Sequence, residues 1–199
     1  MRHFVFDIGN VLASFNGSAF IRRYVPDIAD AVEAFLFPDL WNRYDQGLVS
    51  TEDMIQALCT VFPDYARPLA SMMREWTDSV VICDASLEAA KRYADSRYIL
   101  SNIPQDCEES LKARGLFDAF DGAICSWRER LIKPDPAIYL QLMETFDLKP
   151  EDCVFIDDRK ENVEAAARLG MESHQLRDMS QLPALLEQIT AGTEKERVR

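Results

Sequence analysis

The feature that most restricts how this chain can fold is a recurrence. Four short apolar runs, "HFVFDI" (3–8), "YIL" (98–100), "GAICS" (122–126) and "CVFID" (153–157), are rich in Val, Ile, Phe or Leu, and each gives way to a polar residue and then to helical sequence. Runs this short and this uniformly apolar suit parallel strands buried on both faces. Between the later ones lie helical stretches, "DASLEAAKRYADS" (84–96), "PQDCEESLKARG" (104–115) and "DPAIYLQLMETF" (135–146). The alternation predicts βαβ units and an α/β fold with a doubly wound, Rossmann-like parallel sheet.

Local signals mark the helix ends. Asp135 can cap a helix whose first position is Pro136, where a missing N–H costs nothing. A further helix is expected from about 159 to 169, with Gly170 as its stop. Residues 14–82 break the alternation: "FIRRY", "DIADAVEAFLF", "STEDMIQALCTVF" and "YARPLASMMREW" are amphipathic, with turns at Pro26, Pro38, Gly47 and Pro63. Ser50 and Asp53 have the spacing of a capping box. The expectation is a helical-bundle insert over 14–82 within an α/β unit made of 1–13 and 83–199. Trp41, Tyr44, Met72 and Met73 of the insert read as core. The polar tail "TAGTEKERVR" (190–199) is expected to fray from a last helix near 180–189.

The formal net charge of −12 argues against nucleic acid or an anionic membrane as partner, since both need clustered Lys and Arg. Five cysteines, odd in number and without a CxxC pair, read as reduced core thiols of a cytosolic protein. No apolar run approaches the roughly 20 residues that span a bilayer, and the amino-terminal run is too short for a signal peptide. The expected location is the cytoplasm; the oligomeric state is left open. The only histidines, His3 and His174, lie apart from the polar residues at the strand ends where ligands bind and from any catalytic motif, and neither GxSxG nor a glycine-rich phosphate loop is present.

In an open α/β sheet, ligands bind beyond the carboxyl ends of the strands. The polar residues there are Asp7, Ser101 with Asn102, Lys133, and Asp157 with Asp158. Singly, several of these could cap helices or stand in solvent. Together, three carboxylates at one spot would take up protons unless a cation joined them, and oxygen ligands suit Mg²⁺.

The segments "FDIGNVL", "ILSN", "KPDPAIY" and "FIDDRKENVEAAARLG" resemble, in order, the four motifs of the haloacid dehalogenase-like hydrolase superfamily, over residues 3 to about 170. The helical insert resembles that superfamily's smaller cap. The resemblance implies a phosphatase of small phosphorylated metabolites. Asp7 would be the nucleophile that forms an aspartyl-phosphate, and Ser101 and Asn102 would hold the phosphoryl oxygens. Lys133 would neutralise nucleophile and phosphate. Asp7, Asp158 and the Gly9 carbonyl would bind Mg²⁺, with Asp157 acting through water or as an acceptor behind the site and Asn162 bracing the motif.

Gly9 departs from the pattern, because most phosphatases of the superfamily carry there a second Asp that protonates the leaving oxygen. Loss of such a group costs about 10²–10⁴ in rate, so the implied substrates are esters with good leaving groups: sugar 1-phosphates first, then aryl and acyl phosphates. A metal-free 2-haloacid dehalogenase and a degenerate binding or interaction module are the alternatives. Trp41, Arg43, Tyr44, Asp45, Trp127 and Arg128 are candidates to face the substrate. Asp45 is placed to replace the missing acid if the insert closes over the site.

Overall fold

The first strand, β1 (His3–Phe6), lies at the centre of a sheet, because its side chains are apolar on both faces. Short β2 (Ala13–Ser14) and β3 (Val81–Ile82) pair antiparallel, in a ribbon through which the chain leaves the sheet and returns to it. The remaining strands are β4 (Ser96–Ser101), β5 (Gly122–Cys125), β6 (Cys153–Asp157) and β7 (Glu172–Gln175). Five strands pair parallel in the order β5-β4-β1-β6-β7. The computed structural model describes the backbone of residues 2–197 and the side chains of residues 2–191.

The strand period of two divides the core. Phe4 and Phe6 of β1, with Val154 and Ile156 of β6, face one apolar layer, while Val5, Cys153 and Phe155 face the other. Between β2 and β3 lie α1 (Gly17–Tyr24), α2 (Ala29–Leu36), α3 (Asp39–Asp45), α4 (Thr51–Val61) and α5 (Ala66–Glu75). The first layer holds α6 (Asp84–Tyr93) and α7 (Gln105–Ala113) and is continuous with the apolar faces of α1 to α5. After the short α8 (Ser126–Glu129), α9 (Pro136–Phe146) and α10 (Lys160–Arg168) cover the second layer. The last helix, α11 (Leu182–Arg197), packs on α6.

Local chemistry sets the boundaries. Ser50 and Asp53 form the reciprocal capping box at α4. Asp135 accepts the Ala137 N–H at the start of α9. Gly170 follows α10 at φ +97°. All five cysteines are free thiols. No described helix is long and apolar enough to cross a membrane.

Several expectations need correction. β1 stops at Phe6, not residue 8, because the Ile8 carbonyl accepts the N–H groups of Val11, Leu12 and Ala13 and turns the chain. The run 122–126 loses Ser126, which opens α8. The helix expected to reach residue 96 stops at Tyr93, since β4 already starts at Ser96. β7, with the sequence ESHQ, was not anticipated: it is a half-exposed edge strand without an apolar run. The tail is helical to Arg197, and Val198 and Arg199 lie outside the described residues.

Candidate active site

Parallel register brings the ends of β1, β4 and β6 to one edge, with Phe6 opposite both Ile99 and Ile156. Asp7 continues the ladder by donating its N–H to the Ile156 carbonyl at 2.9 Å. Its Oδ1 accepts three hydrogen bonds, from the Ile8 N–H at 2.7 Å, the Ser101 hydroxyl at 2.7 Å and the Lys133 ammonium at 2.9 Å. That fixes the carboxylate and leaves Oδ2 on the Gly9 side.

Lys133 is 2 % exposed. Its Nζ also donates to Asp157 Oδ2 at 2.6 Å and to the Leu100 carbonyl at 2.8 Å. A buried ammonium needs this much compensation, and here three partners supply it. Asn102 holds the loop in place: its Oδ1 accepts the Lys133 N–H at 2.8 Å and its Nδ2 donates to the Lys133 carbonyl at 3.0 Å. The carboxamide expected on phosphoryl oxygens thus bonds the Lys133 backbone with its oxygen and one N–H, and its second N–H remains on the cavity side. Asn102 therefore positions the lysine.

Asp157 is fully buried, and nitrogen donors occupy both its oxygens. Oδ1 accepts the Arg159 N–H at 2.8 Å, and Asn162 Nδ2 reaches both oxygens at 3.0 Å, as expected of a bracing residue. Asp158 is more open and accepts from Asn10 Nδ2 at 2.8 Å. Oxygens of Asp7, Asp157 and Asp158 lie within 4.8 Å of one another. An all-carboxylate cluster of this kind suits a hard divalent cation.

Burial pushes the Asp7 carboxyl up to about 6; Lys133 opposes the shift and Asp157 adds to it. Asp158 is likewise raised by burial, with the Asn10 hydrogen bond opposing. Burial alone would lower Lys133, but Asp157 and Asp7 outweigh it and hold the ammonium above its ordinary value. The cluster thus favours a charged lysine between carboxylates that repel one another.

The helices between β2 and β3 complete the site. Asp45, the last residue of α3, is buried and shares a cavity with Asp7. Burial, then the Asp7 and Asp106 carboxylates, hold its own carboxyl well above the usual range. Two contacts bring it there. The Ser126 hydroxyl donates to the Asp45 carbonyl. Gly47, at φ +66°, lets the chain pass so close that a Cβ would stand 2.6 Å from the Trp127 carbonyl oxygen. On α7, Asp106 Oδ2 accepts from Trp76 Nε1 at 2.9 Å, from Thr51 Oγ1 at 3.2 Å and from the Tyr44 hydroxyl.

Of the residues expected to face a substrate, Trp41 and Asp45 line the cavity beside Asp7, whereas Tyr44 turns toward Asp106 and Arg43 is exposed. Trp127 and Arg128 do not line it: both are captured by the buried Glu108 carboxylate. Phe15, Trp76, Asp106 and Asn10 were missed. Only Asn10, inside the first motif, carried a sequence signal.

Residues 1–170 match the family model of the haloacid dehalogenase-like hydrolases. A sesquiterpene phosphatase of Aspergillus oryzae is 25% identical over 179 residues, 87% of this chain and 89% of that protein. A phosphorylated carbohydrates phosphatase of Thermotoga maritima is 33% identical over 88 residues, 44% of this chain and 41% of that one. Other curated relatives are longer, and the chain spans a third or less of two of them. Among solved structures, a HAD family enzyme of Bacteroides thetaiotaomicron, in complex with magnesium and inorganic phosphate, superposes with a TM-score of 0.74. It is 19% identical, over 88% of this chain and 93% of that one.

Proposed function

Because the chain belongs to the haloacid dehalogenase-like hydrolases, we propose that it is a Mg²⁺-dependent phosphatase of small phosphorylated metabolites with Asp7 as nucleophile. The observation that carries this reading is the buried Asp7–Lys133–Asp157 chain of ion pairs with Asp158 alongside. The phosphatase relatives and the magnesium and phosphate of the Bacteroides enzyme support it. The intact cluster speaks against a degenerate binding module.

Asp7 attacks phosphorus in line with the ester oxygen; the P–O bond breaks, and an aspartyl-phosphate forms. Lys133 stays protonated and offsets charge on both carboxylate and phosphoryl group. Ser101 and Lys133 hold the Asp7 carboxylate in one orientation, and Asn102 holds Lys133. Water then hydrolyses the acyl phosphate, releasing inorganic phosphate and restoring Asp7. Asp7, Asp158 and the Gly9 carbonyl would hold Mg²⁺, with Asp157 behind them because its oxygens already serve Lys133, Asn162 and Arg159. Bound there, the ion supplies charge neutralisation and orientation of the phosphoryl oxygens.

Gly9 brings no carboxyl. Asp45, in the same cavity, is the group we assign to protonating a leaving oxygen that departs poorly. Esters whose oxygen departs unaided are favoured. The helices of residues 14–82 act as a cap over the core formed by 1–13 and 83–199. The test is hydrolysis of 4-nitrophenyl phosphate, acetyl phosphate and sugar 1-phosphates with Mg²⁺ and with EDTA. Turnover that needs Mg²⁺ is expected; absence of turnover on every ester overturns the reading. Release of chloride from 2-chloropropionate that survives EDTA would replace it with dehalogenation.

A further inference from the structure

The cavity beside Asp7 has a volume of about 150 Å³. Its walls are Phe15, Trp41, Trp76, Val80, Ile103 and Pro104. The three rings brace one another: Phe15 stacks on Trp41 at 6.4 Å with an interplanar angle of 16°, and Trp76 meets both edge-on, at 5.4 and 5.2 Å. This wall is apolar, the kind of surface that holds a flat or compact hydrocarbon group.

Its polar groups are few, and some are engaged. The Trp76 N–H is given to Asp106, and the Asn102 carboxamide bonds the Lys133 backbone with its oxygen and one N–H. Asp45, Ser14, the Cys107 thiol and the second N–H of Asn102 also line it, beside Asp7 where the phosphoryl group would sit. A hexose would bring several hydroxyls into this space, and each one without a partner is a desolvated polar group. The space is small and opens outward from Asp7, so with the phosphoryl group at Asp7 there is room between the aromatic walls for no more than a compact group.

We propose that the ester group cleaved here is a compact apolar one of about the size of a benzene ring, an aryl phosphate rather than a sugar phosphate. This rests on the phosphatase reading and narrows its substrate. It agrees with Gly9, since an aryl oxide leaves without a proton donor: the P–O bond breaks, the ring oxygen takes the electron pair, and solvent protonates it afterwards.

The experiment compares kcat/KM, with Mg²⁺, for acetyl phosphate, phenyl phosphate, 1-naphthyl phosphate and glucose 1-phosphate. Inhibition by phenylphosphonate and methylphosphonate, which release no leaving group, isolates recognition of the ring. Phenyl phosphate is expected to exceed both glucose 1-phosphate and the two-ring naphthyl ester at least tenfold. Phenylphosphonate should bind at least tenfold tighter than methylphosphonate, and Trp41→Ala should shrink that advantage to under threefold. Glucose 1-phosphate equal to or faster than phenyl phosphate, or phosphonates of equal affinity, would overturn the inference. If acetyl phosphate alone turns over, the phosphatase reading stands and the aryl assignment falls. If nothing turns over, both fall.

Discussion

Replacing Lys133 with methionine removes the cation that bridges two buried carboxylates and keeps the volume of the side chain. Asp7 loses a 2.9 Å ion pair and Asp157 loses one at 2.6 Å, and Asp157 has no solvent to replace it. Breaking a buried pair from one side costs about 3–5 kcal/mol, and a chain of this length loses roughly 2–4 °C of Tm per kcal/mol. The expected drop is therefore roughly 6–20 °C, measured by thermal unfolding in EDTA at pH 7.5. The pH dependence adds a second constraint. Folded Asp7 titrates at about 6 against an ordinary 3.8, so the folded state holds its proton more tightly than the unfolded one. Stability linked to that proton is present at low pH and is lost as pH rises through 6. Near pH 5 Asp7 is mostly neutral and needs Lys133 less, so the gap between wild type and variant should narrow there. A drop below 2 °C at pH 7.5, or one equally large at pH 5, refutes the reasoning.

Three further outcomes are expected. Mg²⁺ should raise the Tm of the metal-free protein more at pH 7.5 than at pH 5, because Asp7 must first lose the proton that it holds up to about 6; equal shifts would separate metal binding from Asp7. Asp45→Asn should leave 4-nitrophenyl phosphate hydrolysis within about twofold while slowing benzyl phosphate about 10²-fold, the lower range for a general acid; a parallel loss on both esters would make Asp45 structural. At Gly9 a Cβ would meet nothing nearer than Asp7 Oδ2 at 3.8 Å, so Gly9→Asp should fold and, in the Asp45→Asn background, raise benzyl phosphate turnover by about 10- to 100-fold. An unchanged ratio of benzyl to nitrophenyl rates would show that position 9 does not limit proton transfer.

Asp7, Ser101 and Asp157 could be placed from the sequence because a polar residue at the end of an apolar strand can only lie at the sheet's carboxyl edge; Lys133, in the loop beyond α8, was placed only by its resemblance to a family motif. Parallel register then brings such residues together without further information. β7 escaped because an edge strand with polar side chains carries no apolar run. The aromatic box was out of reach for another reason: Phe15, Trp41 and Trp76 are brought together only by the packing of the helices between them. Asn102 was expected on phosphoryl oxygens, and its carboxamide also bonds the Lys133 backbone. Spacing locates a carboxamide but does not reveal such a backbone partner.

The carboxylate of Asp106 has a consequence for movement of the helices. Tyr44 from α3, Thr51 from α4 and Trp76 beyond α5 all donate to the same oxygen on α7. Hydrogen bonds to a charged group are worth about 1.5–3 kcal/mol each. Moving these helices off α7 would have to give up all three bonds, like opening a clasp. Because all three donors are neutral, added salt screens this clasp far less than it would a set of ion pairs. Under the proposed cap reading, this one aspartate is the point at which any opening over the site would begin.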